Sequence, residues 1–116
     1  MAKKVNISVN HVTRVEGHGN IRLRASDGKI EHVEWQVPEA PRFFEAFVRG
    51  KNYTQLSHLT SRICGICSIG HCLASLRATE AAMGIEIPDA AADLRLVAKH
   101  GEALASHALH VFFLAA

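Results

Sequence analysis

A chain of 116 residues, 48% of them hydrophobic, has the size and content to close around one core, a single domain being typically about 100–150 residues. Its 13 basic and 11 acidic side chains leave a net charge of +2 and are scattered, so neither a nucleic acid nor an anionic membrane surface is indicated as partner. The start, "MAKKVNISVNHV", lacks the apolar stretch and small-residue cleavage site of a signal peptide. No segment reaches the roughly 18 uncharged apolar residues of a transmembrane helix, and the sequence reads as cytoplasmic, any export or membrane association coming through a partner.

The elements in chain order begin as strands. "VNISV" alternates Val5, Ile7 and Val9, and "NIRLRAS" alternates Ile21, Leu23 and Ala25 against Arg22 and Arg24. Asp27-Gly28 supplies a hairpin turn, because both residues tolerate positive φ. The return strand "KIEHVEWQV" sets Val33, Trp35 and Val37 on one face, with Ile30 out of phase as at a bulge. A small antiparallel β meander is expected, ended by Pro38 and Pro41, which cannot donate to a central ladder.

From there the period turns helical. "RFFEAFVRG" spaces Phe43, Phe44, Phe47 and Val48 as a helix that stops at Gly50, and the segment before the cysteines also reads helical. Ile69, Cys72, Leu73, Leu76 and Met83 repeat at helical intervals up to Gly84, with the N-cap at Ser68 or just before it. Beyond Pro88, Leu94, Val97, Gly101, Leu104, Ala108 and Phe112 form an apolar stripe on a helix running to Ala116. Its end, "VFFLAA", carries no cap, so more of this chain or a partner surface is expected to follow. No repeat or linker divides the sequence, which predicts one α+β domain over residues 1–116.

The chemistry is concentrated in "SRICGICSIGHC", residues 61–72, which holds all three cysteines. An odd and clustered set argues against a disulfide framework and for metal or redox chemistry. Cys64 and Cys67, as C-x-x-C around a turn eased by Gly65, can offer two thiolates to one ion. If a helix starts near Ser68, its free N–H groups favour thiolate at Cys67, and His71, four residues on, points back over the first turn. Cys72 falls on the apolar helix stripe and reads as a packing residue. A thioredoxin-like dithiol would need a preceding strand. A structural zinc site built from Cys64, Cys67, His71 and Cys72 alone would be cramped. Half of a metal site, completed by residues absent from this sequence, accounts for both the density and the missing ligands.

These residues carry a family resemblance. "RICGICSIGH", residues 62–71, resembles the N-terminal signature R-x-C-G-x-C-x-x-x-H of nickel-iron hydrogenase large subunits; "TRVEGHG", residues 13–19, resembles that family's R-[IV]-E-G-H motif, and "PRFFEAFVRG", residues 41–50, its R-x-F-E segment. "SHALHVFFLAA" is similar to the helix that follows them. The resemblance implies a β meander followed by helices of a larger bundle, and a bimetallic centre whose iron carries carbon monoxide and cyanide. Cys64 would be a terminal thiolate on nickel and Cys67 the nickel-iron bridge, soft donors that suit a redox nickel. His71 would donate an N–H to the bridging sulfur, Glu16 would carry protons, Glu45 would help hold magnesium or a similar cation, and Arg62 would order groups around the motif. The implied reaction is the reversible, heterolytic oxidation of hydrogen, a nickel-bound thiolate passing its proton to Glu16. Iron–sulfur clusters would lie on a small partner subunit, and maturation factors would assemble the diatomic ligands.

The departure from the family is the second C-x-x-C, which this sequence lacks. The missing thiolates are expected from the rest of a large subunit or from a second chain, and 116 residues alone are expected to be inactive. The alternative is a small zinc-binding interaction module using Cys64, Cys67 and His71. His100, His107 and His110 share one helix face; the last two could hold a metal at this spacing, but polar packing or a subunit contact is the favoured reading.

Overall fold

In the computed structural model, which describes residues 3–115, the alternating segments form a three-stranded antiparallel sheet in sequential order. Its strands are β1 (Lys4–Val9), β2 (Asn20–Ser26) and β3 (Lys29–Gln36). Register follows the apolar pattern, with Ile7 opposite Leu23, Leu23 opposite Val33, and Ile21 opposite Trp35. One face of the sheet is therefore aliphatic and aromatic; the other carries Ser8, Arg22, Arg24, His32 and Glu34. Asp27 (φ 50°) and Gly28 (φ 77°) make the tight turn. The bulge foreseen at Ile30 is present: Arg24 pairs with His32 and Ala25 with Ile30, leaving Glu31 as the extra residue and returning Ile30 to the apolar register.

Four α-helices follow. Helix α1 (Pro41–Val48) begins on a proline, whose missing N–H is no loss at the first helical position. Helix α2 (Tyr53–Thr60) is capped by Asn52, whose side-chain oxygen accepts from Thr54 N at 3.0 Å. Helix α3 (Ser68–Met83) has Cys67 as its N-cap and ends at Gly84, φ 65°, where Ile85 N reaches back to the Glu80 carbonyl at 2.9 Å. Helix α4 (Asp89–Leu109) starts behind Pro88. It passes at His110 into a π-helical turn, His110–Leu114, closed by Ala115 N donating to the His110 carbonyl at 2.8 Å. The single helix expected to reach Ala116 thus changes pitch, and Ala116 itself lies outside the described residues.

Contacts gather the chain into two compact units, Met1–Ala46 and Phe47–Ala116. In the second unit, α2 and α3 meet where the Thr60 hydroxyl, donating to the Leu56 carbonyl of its own helix at 2.9 Å, also lies 3.3 Å from the His71 carbonyl. Helices α3 and α4 are joined at both ends by charged groups. Arg95 grips Glu80 with two hydrogen bonds of 2.9 and 2.5 Å, and Glu102 accepts from the start of α3.

The hydrophobic content does not close into a core: among the described residues no apolar side chain is buried. The stripe on α4 is uncovered, with Leu94, Val97, Leu104 and Phe112 all about seventy per cent exposed (70, 68, 71 and 72%). The helix instead turns its small and charged face, Ala91, Ala92, Arg95, Glu102, Ala103 and Ser106, inward. Periodicity located the stripe correctly but could not say whether these residues cover it themselves. No helix among the described residues is long and apolar enough to cross a membrane.

Candidate metal centre

The turn between α2 and α3 holds the cysteine pair. α2 ends at Thr60, Arg62 N and Ile63 N bond back to the Leu59 and Thr60 carbonyls at 3.2 and 3.0 Å, and the chain then folds through Gly65 into α3. This brings the Cα atoms of Cys64 and Cys67 to 5.4 Å, with the two sulfurs joined as a disulfide. The bond is a closure between neighbours rather than a fold-wide framework, and it arises because a C-x-x-C turn returns the second sulfur to the first. Cys67 N also donates to Cys64 Sγ at 3.2 Å, a hydrogen bond that stabilises negative charge on that sulfur once it is a thiolate. As thiolates the pair presents two soft donors at one point, which fits nickel. Two sulfurs do not complete a four-coordinate ion, and among the described residues no group of three His, Cys, Asp or Glu side chains gathers to hold one.

His71 stands one turn into α3, its N–H bonded to the Cys67 carbonyl at 3.2 Å. Among the described residues its ring makes no hydrogen bond to the Cys67 sulfur. The free amides expected to support that sulfur are also engaged elsewhere. Ile69 N and Gly70 N donate to Glu102 Oε1 at 2.6 and 3.3 Å. Lys99 pairs with the other oxygen of that carboxylate. The Lys99 ammonium, helped by the two amides, holds the Glu102 carboxyl below the ordinary glutamate range against the opposing pull of burial. In the same way, the Arg95 guanidinium lowers Glu80. Sequence reasoning missed Glu102, because it falls beside the apolar stripe rather than on it; the signal was a glutamate three residues after a lysine, beside a helix face of alanines, Arg95 and Ser106.

Arg62 is exposed in the turn before Cys64, and Cys72 is half-buried on α3. Together with Ser61, Gly65, Ser68 and Ile69 they line an open cleft of about 570 Å³ beside the pair. His100, His107 and His110 are exposed along the end of α4.

In the first unit, Glu16 is exposed on the loop between β1 and β2, and Glu45 is exposed on α1. The loop is drawn tight. His11 (φ 57°), Arg14 (φ 61°) and Gly17 (φ 79°) all adopt left-handed backbone, which is uncommon for residues with a side chain. Its neck is closed by Val12 N donating to the Gly19 carbonyl at 2.9 Å. The Asn20 side-chain oxygen accepts from His11 N at 3.1 Å and lies 3.2 Å from His18 Nε2, and the two histidine rings pack with centroids 4.3 Å apart. The Trp35 ring rests directly on Gly19, where any Cβ would overlap the indole carbons. The carboxylate of Glu16 is thus displayed on a loop of restricted shape.

The described residues thus form an α+β chain with a tight carboxylate-bearing loop on a meander and a paired-cysteine turn at a helix start. Residues 42–116 match the family described as nickel-dependent hydrogenase, and residues 6–40 match the HoxL-like family. The chain belongs to the nickel-dependent hydrogenases and corresponds to a portion of their large subunit. Sulfhydrogenase 2 subunit alpha of Pyrococcus furiosus is 41% identical over 109 residues, covering 94% of this chain and 26% of that protein. Sulfhydrogenase 1 subunit alpha of the same organism is 37% identical over 108 residues, covering 93% and 25%. The NiFeSe hydrogenase of Dm. baculatum superposes with a TM-score of 0.61 at 34% identity, over 95% of this chain and 22% of that one. That of D. vulgaris Hildenborough gives 0.61 at 30%, over 95% and 23%. The chain spans about a quarter of the length of the curated relatives it matches.

Proposed function

We propose that this chain is the N-terminal portion of a nickel-iron hydrogenase large subunit, that it supplies half of the cysteine ligands of the bimetallic centre, and that the complete assembly interconverts hydrogen with protons and electrons. The observation that carries the reading is the convergence of the Cys64 and Cys67 sulfurs at the start of α3, inside the stretch that matches the family.

In this proposal Cys64 and Cys67 would hold the metals as thiolates, Cys64 as a nickel ligand and Cys67 as a ligand shared with iron. When bound, the metals supply the Lewis acidity and redox capacity for heterolytic cleavage of hydrogen. Cys64 then serves as the first proton acceptor and Glu16 as the carrier that takes the proton onward, a role suited to a carboxylate on a constrained loop. His71 tunes the bridging sulfur, Glu45 contributes an oxygen to a magnesium or similar cation, and Arg62 orders the surroundings of the motif. Carbon monoxide and cyanide on iron come from maturation factors.

The remaining two thiolates come from further large-subunit sequence, in this polypeptide or in a second chain. The uncovered apolar stripe on α4 supports this, since large-subunit sequence missing here is what would bury it. A small subunit carries the iron–sulfur clusters, and the proposed setting is the cytoplasm. The zinc-module alternative is not favoured, because the family match extends over both units.

Nickel analysis of the purified assembly with Cys64→Ser and Cys67→Ser tests the assignment. Each variant is expected to lose nickel while its Cys72→Ser counterpart retains it. Nickel retained in both Cys64→Ser and Cys67→Ser would reject these ligands.

A further inference from the structure

Among the described residues Glu102 is the one buried polar side chain, at 8% exposure, and none of the roles above uses it. Its partners explain where it sits. Helix α3 opens with Cys67 as N-cap, so Ser68, Ile69 and Gly70 are its first three residues, whose N–H groups have no carbonyl within the helix to receive them. An N-cap side chain ordinarily accepts from the second or third of these amides. The Cys67 side chain makes no such bond. Those same two amides, of Ile69 and Gly70, donate instead to Glu102 Oε1, which arrives from α4 across 33 positions of sequence.

The capping oxygen is thus supplied by another helix, and Cys67 holds the capping position while its sulfur, uncommitted to the cap, bonds elsewhere, here to Cys64. Gly70 is part of the arrangement. A Cβ there would lie 3.0 Å from Lys99 Nζ and 3.6 Å from Glu102 Oε2, so the absent side chain lets the Lys99–Glu102 pair come up against the first turn. The first bond of that turn, His71 N to the Cys67 carbonyl, ties the histidine to the same geometry.

We propose that Glu102 is a positioning residue of the metal centre: by capping α3 in place of the Cys67 side chain, it fixes the first turn and frees the Cys67 sulfur for the metal. The proposal rests on the reading of Cys67 as a metal ligand. The carboxylate touches neither metal nor substrate, and it acts through the backbone that carries Cys67 and His71.

The test uses the complete assembly that contains this chain. Wild-type nickel content is measured first, so that an assembly without nickel counts against the metal reading itself and is told apart from failure of the Glu102 proposal. Nickel retained against EDTA and hydrogen exchange at the Ile69 and Gly70 amides are then compared across four variants. Glu102→Ala removes the acceptor and is expected to lower nickel retention by about tenfold or more, the range carried by residues that orient metal ligands, with faster exchange at both amides. Glu102→Asp keeps the charge but withdraws the oxygens and is expected to lose nickel as well. Glu102→Gln keeps an acceptor of the same reach and is expected to restore most of the retention. Glu80→Ala breaks the other clasp between α3 and α4, the Arg95 pair, and is expected to leave nickel in place.

Equal nickel loss in Glu80→Ala and Glu102→Ala would overturn the proposal, since general helix packing would then explain both. Wild-type retention in Glu102→Ala, or failure of Glu102→Gln to rescue, would also overturn it. Should Glu102→Ala not accumulate, the contrast between aspartate and glutamine decides: loss in the first with retention in the second supports the role, and equal behaviour rejects it.

Discussion

Isolated from the rest of a large subunit, these 116 residues should not fold cooperatively. The chain exposes 9349 Å² of accessible surface. Two separately folded globules with the lengths of its two units would expose together about 7,500 Å², so the excess is about 1,800 Å². With a little over half of that surface apolar, covering it at about 25 cal/mol per Å² is worth about 25 kcal/mol. That exceeds the whole net stability of an ordinary domain, about 5–15 kcal/mol. The assay is a thermal and urea melt of the purified chain followed by circular dichroism, with a dye that binds exposed apolar surface and an amide NMR spectrum beside it. Helical signal without a sharp transition, strong dye binding and poor amide dispersion are expected. A single cooperative transition with a well-dispersed spectrum would refute the reasoning, because the uncovered α4 stripe would then be no liability.

Within the complete assembly, Gly19→Ala should cost about 1–3 kcal/mol by forcing the Trp35 ring off its seat. The same change made on a Trp35→Leu background should cost less than about 0.5 kcal/mol in urea unfolding, and equal costs in the two backgrounds would contradict the contact. Glu80 and Glu102 both have folded pKa values below the ordinary 4.5. Their contribution to the α3–α4 pair is therefore fully present above that value and is lost as pH falls through the lower, folded values. Protection of the α3 amides, taken relative to the intrinsic exchange rate at each pH, should fall over that acidic window, and the fall should be absent in the Glu80→Gln, Glu102→Gln double variant. Glu16→Gln should suppress hydrogen-isotope exchange with solvent while leaving nickel and iron bound; full exchange activity would remove Glu16 from the proton route.

The β meander was legible in the sequence nearly to the residue, because strand alternation, an Asp-Gly turn and one out-of-phase isoleucine each have a single local explanation. The helix limits at Gly84 and around Cys67 were legible for the same reason. The packing of α4 was not. Its apolar stripe is a plain periodic signal, yet the face it turns to α3 is made of alanines, a serine, Arg95 and Glu102, whose value lies in partners far away in sequence. The candidate centre divides along the same line. The cysteine pair announces itself by spacing, whereas Glu102 becomes visible only when α4 is laid against the first turn of α3. The left-handed backbone at His11 and Arg14 had no sequence signal beyond the motif in which Arg14 lies.

Metal analysis joined to infrared spectroscopy of the natively purified assembly tests the central claim most directly. Nickel and iron bound to the protein, with absorption bands of metal-bound carbon monoxide and cyanide that disappear in Cys67→Ser, are the predicted result. Stoichiometric zinc with no such bands would contradict the account.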